Sequence, residues 1–238
     1  SYQLLSDFAW YELKLYNKPN AVKLLEYLYS KHPGEYNIVA NLGTAYEVTG
    51  KNSKALQLLR KAVAINPASH YGSEWLHIRI LEQKLADVPD YSKIINLQIN
   101  DLHTWLNDKT YQYPQPADSL LKQIAYQLHE RTSFIKPPDK IIGHLIFDFA
   151  SIAAKEYGQH QAKKFYDYAV KYDAALANKE QVFPKKSVVV LPNQDDKAVS
   201  SSTLNLTKFI IAPAALAAIA TFLFVIKRRR KLKALAAK

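Results

Sequence analysis

The chain has 238 residues, enough to bury a sizeable hydrophobic core in one or two domains. It contains no cysteine, which excludes disulfides, thiolate metal sites and cysteine nucleophiles. The net charge of +11 is unevenly distributed along the chain. Residues 208–238 carry eight of the 32 Lys and Arg and no acid, which leaves 24 bases and 21 acids in the rest of the chain. The basic character therefore belongs to the C-terminal end, and we predict no nucleic-acid partner.

The first 67 residues contain two copies of one helical-hairpin pattern, and the second copy, residues 36–67, is the clearer. Its small or apolar residues recur at helical spacing on both sides of a turn at Gly50. They are Val39, Leu42, Gly43 and Tyr46 before the turn and Ala55, Leu58, Leu59 and Ala62 after it. Gly43 and Ala55 lack bulk, so we expect the helices to approach closely there. Pro67 predicts the end of the second helix, since proline cannot continue the hydrogen-bond ladder.

The same pattern occurs 34 residues earlier. Its matching residues are Leu5, Phe8, Ala9, Ala21, Leu25 and Pro33, whereas Glu12 and Leu28 depart from the pattern. A 34-residue repeat of two helices that ends in proline resembles the tetratricopeptide repeat (TPR). The resemblance implies an all-α solenoid that binds proteins, and it names no partner.

The first helix of a third hairpin, which begins at about His70, is predicted to be SEWLHIRILEQKL (residues 73–85), with Leu76, Ile80 and Leu81 on its buried face. We expect it to cover the open end of the second repeat, so that residues 1–85 form the repeats with a covering helix. Residues 86–117 are rich in proline and are predicted to be an irregular insertion. Within it, Ile94–Ile99 is expected to be a strand or an extended segment.

Residues 118–175 are predicted to be a second helical region. Asp118 is expected to be the N-cap of a helix whose apolar residues recur at helical spacing from Leu120 to Leu128. Residues 139–174 resemble a degenerate TPR with its turn at Gly158. Its expected buried residues are Ile146, Phe149, Ala150, Ala153, Ala162, Tyr166 and Ala169. Together the patterns predict about eight helices in an all-α array.

Residues 176–207 are predicted to be a linker. In it, Val188–Val190 either pack on the helical body or add a strand to a partner's sheet. Residues 208–238 are predicted to be a transmembrane helix with a basic tail. The uncharged run Phe209–Ile226 would be about 27 Å long as a helix, close to the ~30 Å of a bilayer's hydrocarbon core. Membrane lipid is therefore an expected partner. Small residues suited to packing against another helix are Ala214, Ala217, Ala218 and Thr221.

The basic run Lys227–Lys231 predicts the topology, because such clusters stay in the cytoplasm. The repeats then face the periplasm, which requires a cleaved export signal before Ser1. The stretches HYGSEWLHIRILEQKL, IAYQLHER and KPPDKI resemble a group of exported TPR proteins of diderm bacteria. That resemblance implies a single-pass protein of the bacterial inner membrane and no particular activity. The alternative is a tail anchor with cytosolic repeats, which is similar to mitochondrial fission adaptors.

The sequence indicates no catalytic residue, no metal site and no cofactor. Gly43 and Gly50 are separated by six residues, not the four of a phosphate loop, and Asn52 stands where a Ser or Thr would bind magnesium. His70 and His77 are expected in capping or core roles, not as metal ligands. We therefore predict no enzyme and no small-molecule substrate. An enzyme whose site combines distant residues is the alternative.

The TPR resemblance implies a binding groove lined by the first helix of each hairpin. The groove positions that map onto this chain are Gln3, Ser6, Trp10, Asn37, Asn41, Thr44, Tyr71, Glu74 and Trp75. Only Asn41 matches the residues with which such repeats grip a terminal carboxylate. The aromatic and amide side chains instead favour an apolar or mixed ligand such as a partner helix. For Trp10 and Trp75, packing in the core is the alternative.

These observations predict a membrane-anchored TPR scaffold or accessory subunit that binds a partner protein in a membrane-associated complex. The alternative function is a cytosol-facing adaptor that recruits soluble factors to a membrane.

Overall fold

The computed structural model describes residues 1–15 and 17–182, and for residues 160, 161 and 179–182 the backbone alone. Across these residues the chain forms helices and no strand, so the all-α prediction is confirmed. The α-helices are α1 (Tyr2–Lys14), α2 (Lys18–Lys31), α3 (Tyr36–Val48), α4 (Asn52–Ile65), α5 (Ser69–Gly72), α6 (Glu74–Leu85), α7 (Leu102–Asn107), α8 (Ala117–Phe134), α9 (Lys140–Tyr157) and α10 (Gln159–Tyr172). Two 3₁₀ helices cover Tyr91–Lys93 and Ala174–Val182.

The predicted membrane segment lies outside the described residues, as does the linker beyond residue 182. Among the helices from α1 to α10, none combines the length and apolar character needed to cross a membrane. The basic run after Ile226 and the small residues of the predicted segment therefore remain sequence-level predictions.

The hairpins α1–α2 and α3–α4 share one hydrophobic core. The small and apolar residues expected to face inward in α3 and α4 are buried. A Cβ atom added to Gly43 would lie only 2.9 Å from Cδ2 of Leu59, which confirms the close approach of the two helices. The α3–α4 hairpin turns at Gly50, whose φ of 79° suits glycine.

Helix α6 packs on α4 and covers it, as expected, with Leu76, Ile80 and Leu81 fully buried. The helix begins at Glu74, one residue after the start of the predicted stretch, and ends at Leu85 as predicted. The backbone just before this helix is left-handed, because His70, Tyr71 and Gly72 have φ values of 53°, 62° and 70°. Three successive left-handed residues interrupt a right-handed helix, so the chain makes a tight turn before α6.

The insertion between α6 and α8 holds more structure than predicted. It contains α7 and the 3₁₀ helix Tyr91–Lys93. Ile94–Ile99, expected to be a strand or an extended segment, is not a strand, because Asn96 and Gln98 have φ values of 62° and 55°, which a pleated strand cannot accommodate. Lys155 of α9 ties the insertion down, since its Nζ donates to the carbonyl oxygens of Trp105 and Asp108, each at 2.5 Å.

Helices α8, α9 and α10 form the second helical region. The N-cap of α8 is Pro116, so the prediction that Asp118 caps this helix is wrong. Asp118 lies in the first turn, where its charge still favours the helix N-terminus, and it accepts a hydrogen bond from the Tyr157 hydroxyl. Helices α9 and α10 pack through the residues expected there, with the turn at Gly158.

Candidate functional site

The inner face of the repeats is closed by a helix of the same chain, α8. Arg131 Nη1 of α8 lies 2.7 Å from Glu47 Oε1 of α3, and Glu130 Oε2 lies 3.8 Å from Lys14 Nζ of α1. The rings of Phe134 and Trp10 meet edge to face at 5.2 Å between centroids. Helix α8 therefore reaches both repeats across the face on which the groove was predicted.

A cavity of about 480 Å³ remains between α8 and helices α1, α3 and α6, which we term the central cavity. This volume falls in the range of ligand-binding pockets. Its lining mixes aromatic, amide and charged side chains, with acids and bases on both the repeat side and the α8 side.

Glu47 is the centre of a buried charge cluster at the wall of the central cavity. Its carboxylate accepts hydrogen bonds from Arg131 and from Lys84, at 2.7 Å and 2.6 Å, and also from Nε2 of His77. Burial alone would raise the pKa of Glu47, but Arg131, His77 and Lys84 hold that pKa well below its ordinary value. The carboxylate is thus ionised and fixes three helices, α3, α6 and α8, to one point.

Glu74 forms a second buried carboxylate beside the first. Its Oε1 accepts a hydrogen bond from the Tyr36 hydroxyl at 2.9 Å and lies 2.7 Å from Nδ1 of His70. Burial would raise the pKa of Glu74, but the hydrogen bond with His70, the nearby charge of His77 and the hydrogen bond from Tyr36 lower it below the ordinary value. Burial and the neighbouring charge of Glu74 raise the pKa of Tyr36. Tyr36 therefore stays a hydroxyl donor.

The left-handed turn before α6 places His70 at the cavity wall. Its ring stacks on Tyr126 of α8, with centroids 4.5 Å apart and planes inclined by 19°. Positive φ is unfavourable for residues other than glycine, and such strain persists where surrounding contacts fix it. Here the fixing contacts are the stack on Tyr126 and the pair with Glu74.

Two buried polar atoms at the cavity wall keep unused hydrogen-bonding capacity. Among the described residues, Nε of Arg131 and Oε2 of Glu74 have no hydrogen-bond partner. His77 Nδ1 lies 3.6 Å from that oxygen, which is outside hydrogen-bond range. One donor and one acceptor at the wall are thus unpaired, and leaving such groups unpaired costs about 1–3 kcal/mol each.

The structure brings five of the nine predicted groove residues to the central cavity: Trp10, Asn37, Asn41, Thr44 and Glu74. Ser6 lies behind them, buried, and accepts a hydrogen bond from Nδ2 of Asn41 at 3.0 Å. The other three, Gln3, Tyr71 and Trp75, do not line the cavity. Gln3 is exposed near the start of α1, and Tyr71 is 66% exposed. Trp75 is half-buried and donates to Gln123 of α8 at 2.7 Å.

The sequence reasoning missed the contribution of α8 and the charge cluster. Tyr126, Gln127 and Arg131 lie on a helix that was recognised only from its apolar side. His70 and Glu74 stand four residues apart, and that spacing was the available signal for the pair. Within the described residues, no group of three or more potential ligands is arranged to hold a metal ion.

Comparison with models of known protein families, with curated proteins and with solved structures gives no match for this chain.

Proposed function

We propose that this protein is a membrane-anchored scaffold of TPR type whose repeats bind a partner protein, and that the partner inserts a short extended segment into the central cavity. The carrying observation is the pair of buried atoms without partners at the cavity wall, Nε of Arg131 and Oε2 of Glu74. A peptide backbone offers a carbonyl for the first and an N–H for the second. A volume of about 480 Å³ admits a few residues and not a helix of several turns.

The aromatic side chains of the cavity support a peptide over a small polar ligand. Trp10, Tyr126 and Phe134 offer apolar surface to a ligand, and Asn41 and Thr44 offer polar groups for hydrogen bonds with it. Such a mixture is typical of grooves that bind peptides through main-chain contacts and side-chain pockets. The buried cluster around Glu47 holds this wall in place before binding, which lowers the entropic cost of association.

A displayed library of random peptides tests the binding proposal. The full chain, purified in detergent, is used for selection, and recovered peptides are synthesised and titrated by calorimetry. Thr44→Arg fills the cavity and should abolish binding, whereas Thr104→Arg, at an exposed position of helix α7, should leave it unchanged. Selection of no binding peptide, or equal affinity for the Thr44→Arg and Thr104→Arg variants, would overturn the proposal.

Arg131→Lys tests the carrying observation itself. The substitution keeps a cation beside Glu47 but removes the Nε donor, so peptide affinity should fall about tenfold. The circular dichroism spectrum should remain that of a folded helical protein. Unchanged affinity in a folded Arg131→Lys variant would show that this donor does not contact the peptide.

The anchoring part of the proposal rests on Phe209–Ile226 and the bases after it. In a bacterial host, the full chain should resist extraction of membranes with carbonate, and a chain ending at residue 207 should be released. Protease added to spheroplasts should cleave the repeats if they face the periplasm. Protection of the repeats from that protease would favour the cytosol-facing adaptor.

A further inference from the structure

The first hairpin exposes an apolar face that its counterpart in the second hairpin buries. Leu4, Leu5 and Phe8 of α1 are 45–47% exposed. The residues 34 positions later, Ile38, Val39 and Leu42, are at most 1% exposed. The two sets have the same chemistry and the same place in the hairpin, so the difference arises from what packs on them.

The second set is buried because a neighbouring hairpin covers it. Helix α3 packs on α1 and α2, and Val39 and Leu42 belong to one core with Val22 and Leu25 of α2. No helix of the described residues covers the corresponding face of α1. A face of this kind is suited to a helical hairpin, because that is what the equivalent face of α3 receives.

Charges beside Phe8 favour a particular occupant. Phe8 borders a shallow depression whose other residues are Glu12 of α1 and Asn20, Lys23 and Leu24 of α2. One acid and one base, each on its own helix, flank an apolar centre. A two-fold rotation brings the acid of one copy to the base of the other, which makes this face self-complementary.

We propose that two copies of this chain associate through this face, with Phe8 of each copy packed in the depression of the other and Glu12 of one copy facing Lys23 of its partner. The contact is isologous, so every favourable pair occurs twice. This face shares no lining residue with the central cavity, so the association does not depend on peptide binding there.

Sedimentation equilibrium of the full chain in density-matched detergent tests the proposal. The natural sequence should sediment as a dimer that dissociates on dilution. Phe8→Asp should raise the dissociation constant of the dimer about a hundredfold, because it puts a carboxylate at both apolar centres. Val88→Asp is the matched control, since Val88 is 86% exposed away from this face, and it should leave the dimer unchanged.

The charge pair is tested by a double-mutant cycle. Lys23→Glu should weaken the dimer about fivefold, since it sets two acids against each other at two sites. Glu12→Gln keeps an acceptor for Asn17, whose side-chain amide donates to Glu12, and removes the charge. In the Glu12→Gln background, Lys23→Glu should have a smaller effect. Equal effects in both backgrounds would contradict the pairing of Glu12 with Lys23.

The predicted membrane segment offers a competing route to self-association, and a further variant separates the two. Ala214→Leu combined with Ala218→Leu removes the small residues of that segment and should leave the proposed dimer intact. A monomer at every concentration overturns the proposal. So does a dimer that survives Phe8→Asp, or one that is lost only in the Ala214→Leu/Ala218→Leu variant.

Discussion

The hairpins α3–α4 and α9–α10 have the same construction but are stabilised by different contacts. Each turns at a glycine with positive φ, Gly50 or Gly158. Each brings its helices together at a helix glycine, Gly43 or Gly143. The hairpin α9–α10 is held by aromatic pairs, such as Phe149 with Phe165 at 5.1 Å between ring centroids. The hairpin α3–α4 also carries Glu47, a buried charge bonded to α6 and α8.

The difference shows which contacts are local and which are not. Aromatic pairing across α9–α10 follows from helical periodicity, which the sequence displays directly. The bond between Glu47 and Arg131 joins residues 84 positions apart. Apolar packing thus builds each hairpin, whereas the buried charges determine how α8 sits on the repeats.

Arg131→Ala should produce the largest loss of stability. It removes the closest cation of α8 from the buried Glu47, and breaking a buried pair in this way lowers the free energy of unfolding by about 3–5 kcal/mol. Urea denaturation followed by circular dichroism measures the change. Arg60→Ala, which breaks an exposed pair with Glu82 at 3.0 Å, should cost only about 0–1 kcal/mol. Equal losses would show that the cluster does not hold α8.

Acid should weaken the same cluster. Folding lowers the pKa values of Glu47 and Glu74, so the unfolded chain binds more protons than the folded chain in acid. Their stabilisation is complete above the ordinary glutamate pKa of 4.5 and is lost as pH falls through the lowered values. Denaturation across a pH series should show the free energy of unfolding falling below that point.

Glu47→Gln identifies the source of that pH dependence. The slope of unfolding free energy against pH should become shallower in this variant, because one fewer carboxylate with a lowered pKa remains. Glu82→Gln, in the exposed pair with Arg60, serves as the control and should keep the slope of the natural sequence. An unchanged slope in Glu47→Gln would assign the effect to other groups.

The two close-approach glycines should differ in their tolerance of alanine. At Gly143 the added Cβ would lie 2.8 Å from Cβ and 3.1 Å from the backbone nitrogen of Asp173, so Gly143→Ala should cost about 1–3 kcal/mol. At Gly43 the closest atom is the end of the flexible Leu59 side chain. Alanine also gains about 1 kcal/mol in helix propensity there, so the net change should stay within about 1 kcal/mol. Thermal unfolding of both variants measures the two losses of stability. A larger loss for Gly43→Ala than for Gly143→Ala would contradict this prediction.

Tyr166→Phe should have a small effect. The Tyr166 hydroxyl donates to Ser151 at 3.0 Å inside the α9–α10 hairpin, and the Ser151 hydroxyl itself donates to the carbonyl oxygen of Phe147. Losing one neutral hydrogen bond should lower the free energy of unfolding by about 1 kcal/mol. Tyr27→Phe, at a residue that is 59% exposed, is the matched control. A loss as large as that of Arg131→Ala would mean that α9–α10 also depends on buried polar contacts.

The sequence predicted the elements whose signal is periodic. Helical spacing identified the buried faces of α3, α4, α6, α9 and α10, because apolar burial repeats with the helix turn. It failed at Asn96 and Gln98, where left-handed residues occur in a β-prone composition. Backbone conformations of that kind depend on the surrounding packing and not on local propensity.

The candidate site was predictable only in part. The mapped groove positions included Trp10, Asn41 and Thr44, which do line the central cavity. Arg131 and Tyr126 could not be predicted as site residues from the sequence, because the path of the chain through the insertion determines that α8 lies opposite the repeats. A polar residue on an amphipathic helix has no sequence pattern that tells whether it meets water or a buried carboxylate.

The left-handed turn at residues 70–72 makes the protein sensitive to insertions and deletions at one place in the chain. An α-helix advances about 100° per residue, so a one-residue deletion in this turn that shifts the sequence of α6 along its helical path would turn every side chain of α6 by that angle. Glu74 and His77 would then point away from α3 and α8 although each keeps its identity. Insertions and deletions should therefore be tolerated at the exposed residues 87–89 and rejected in this turn.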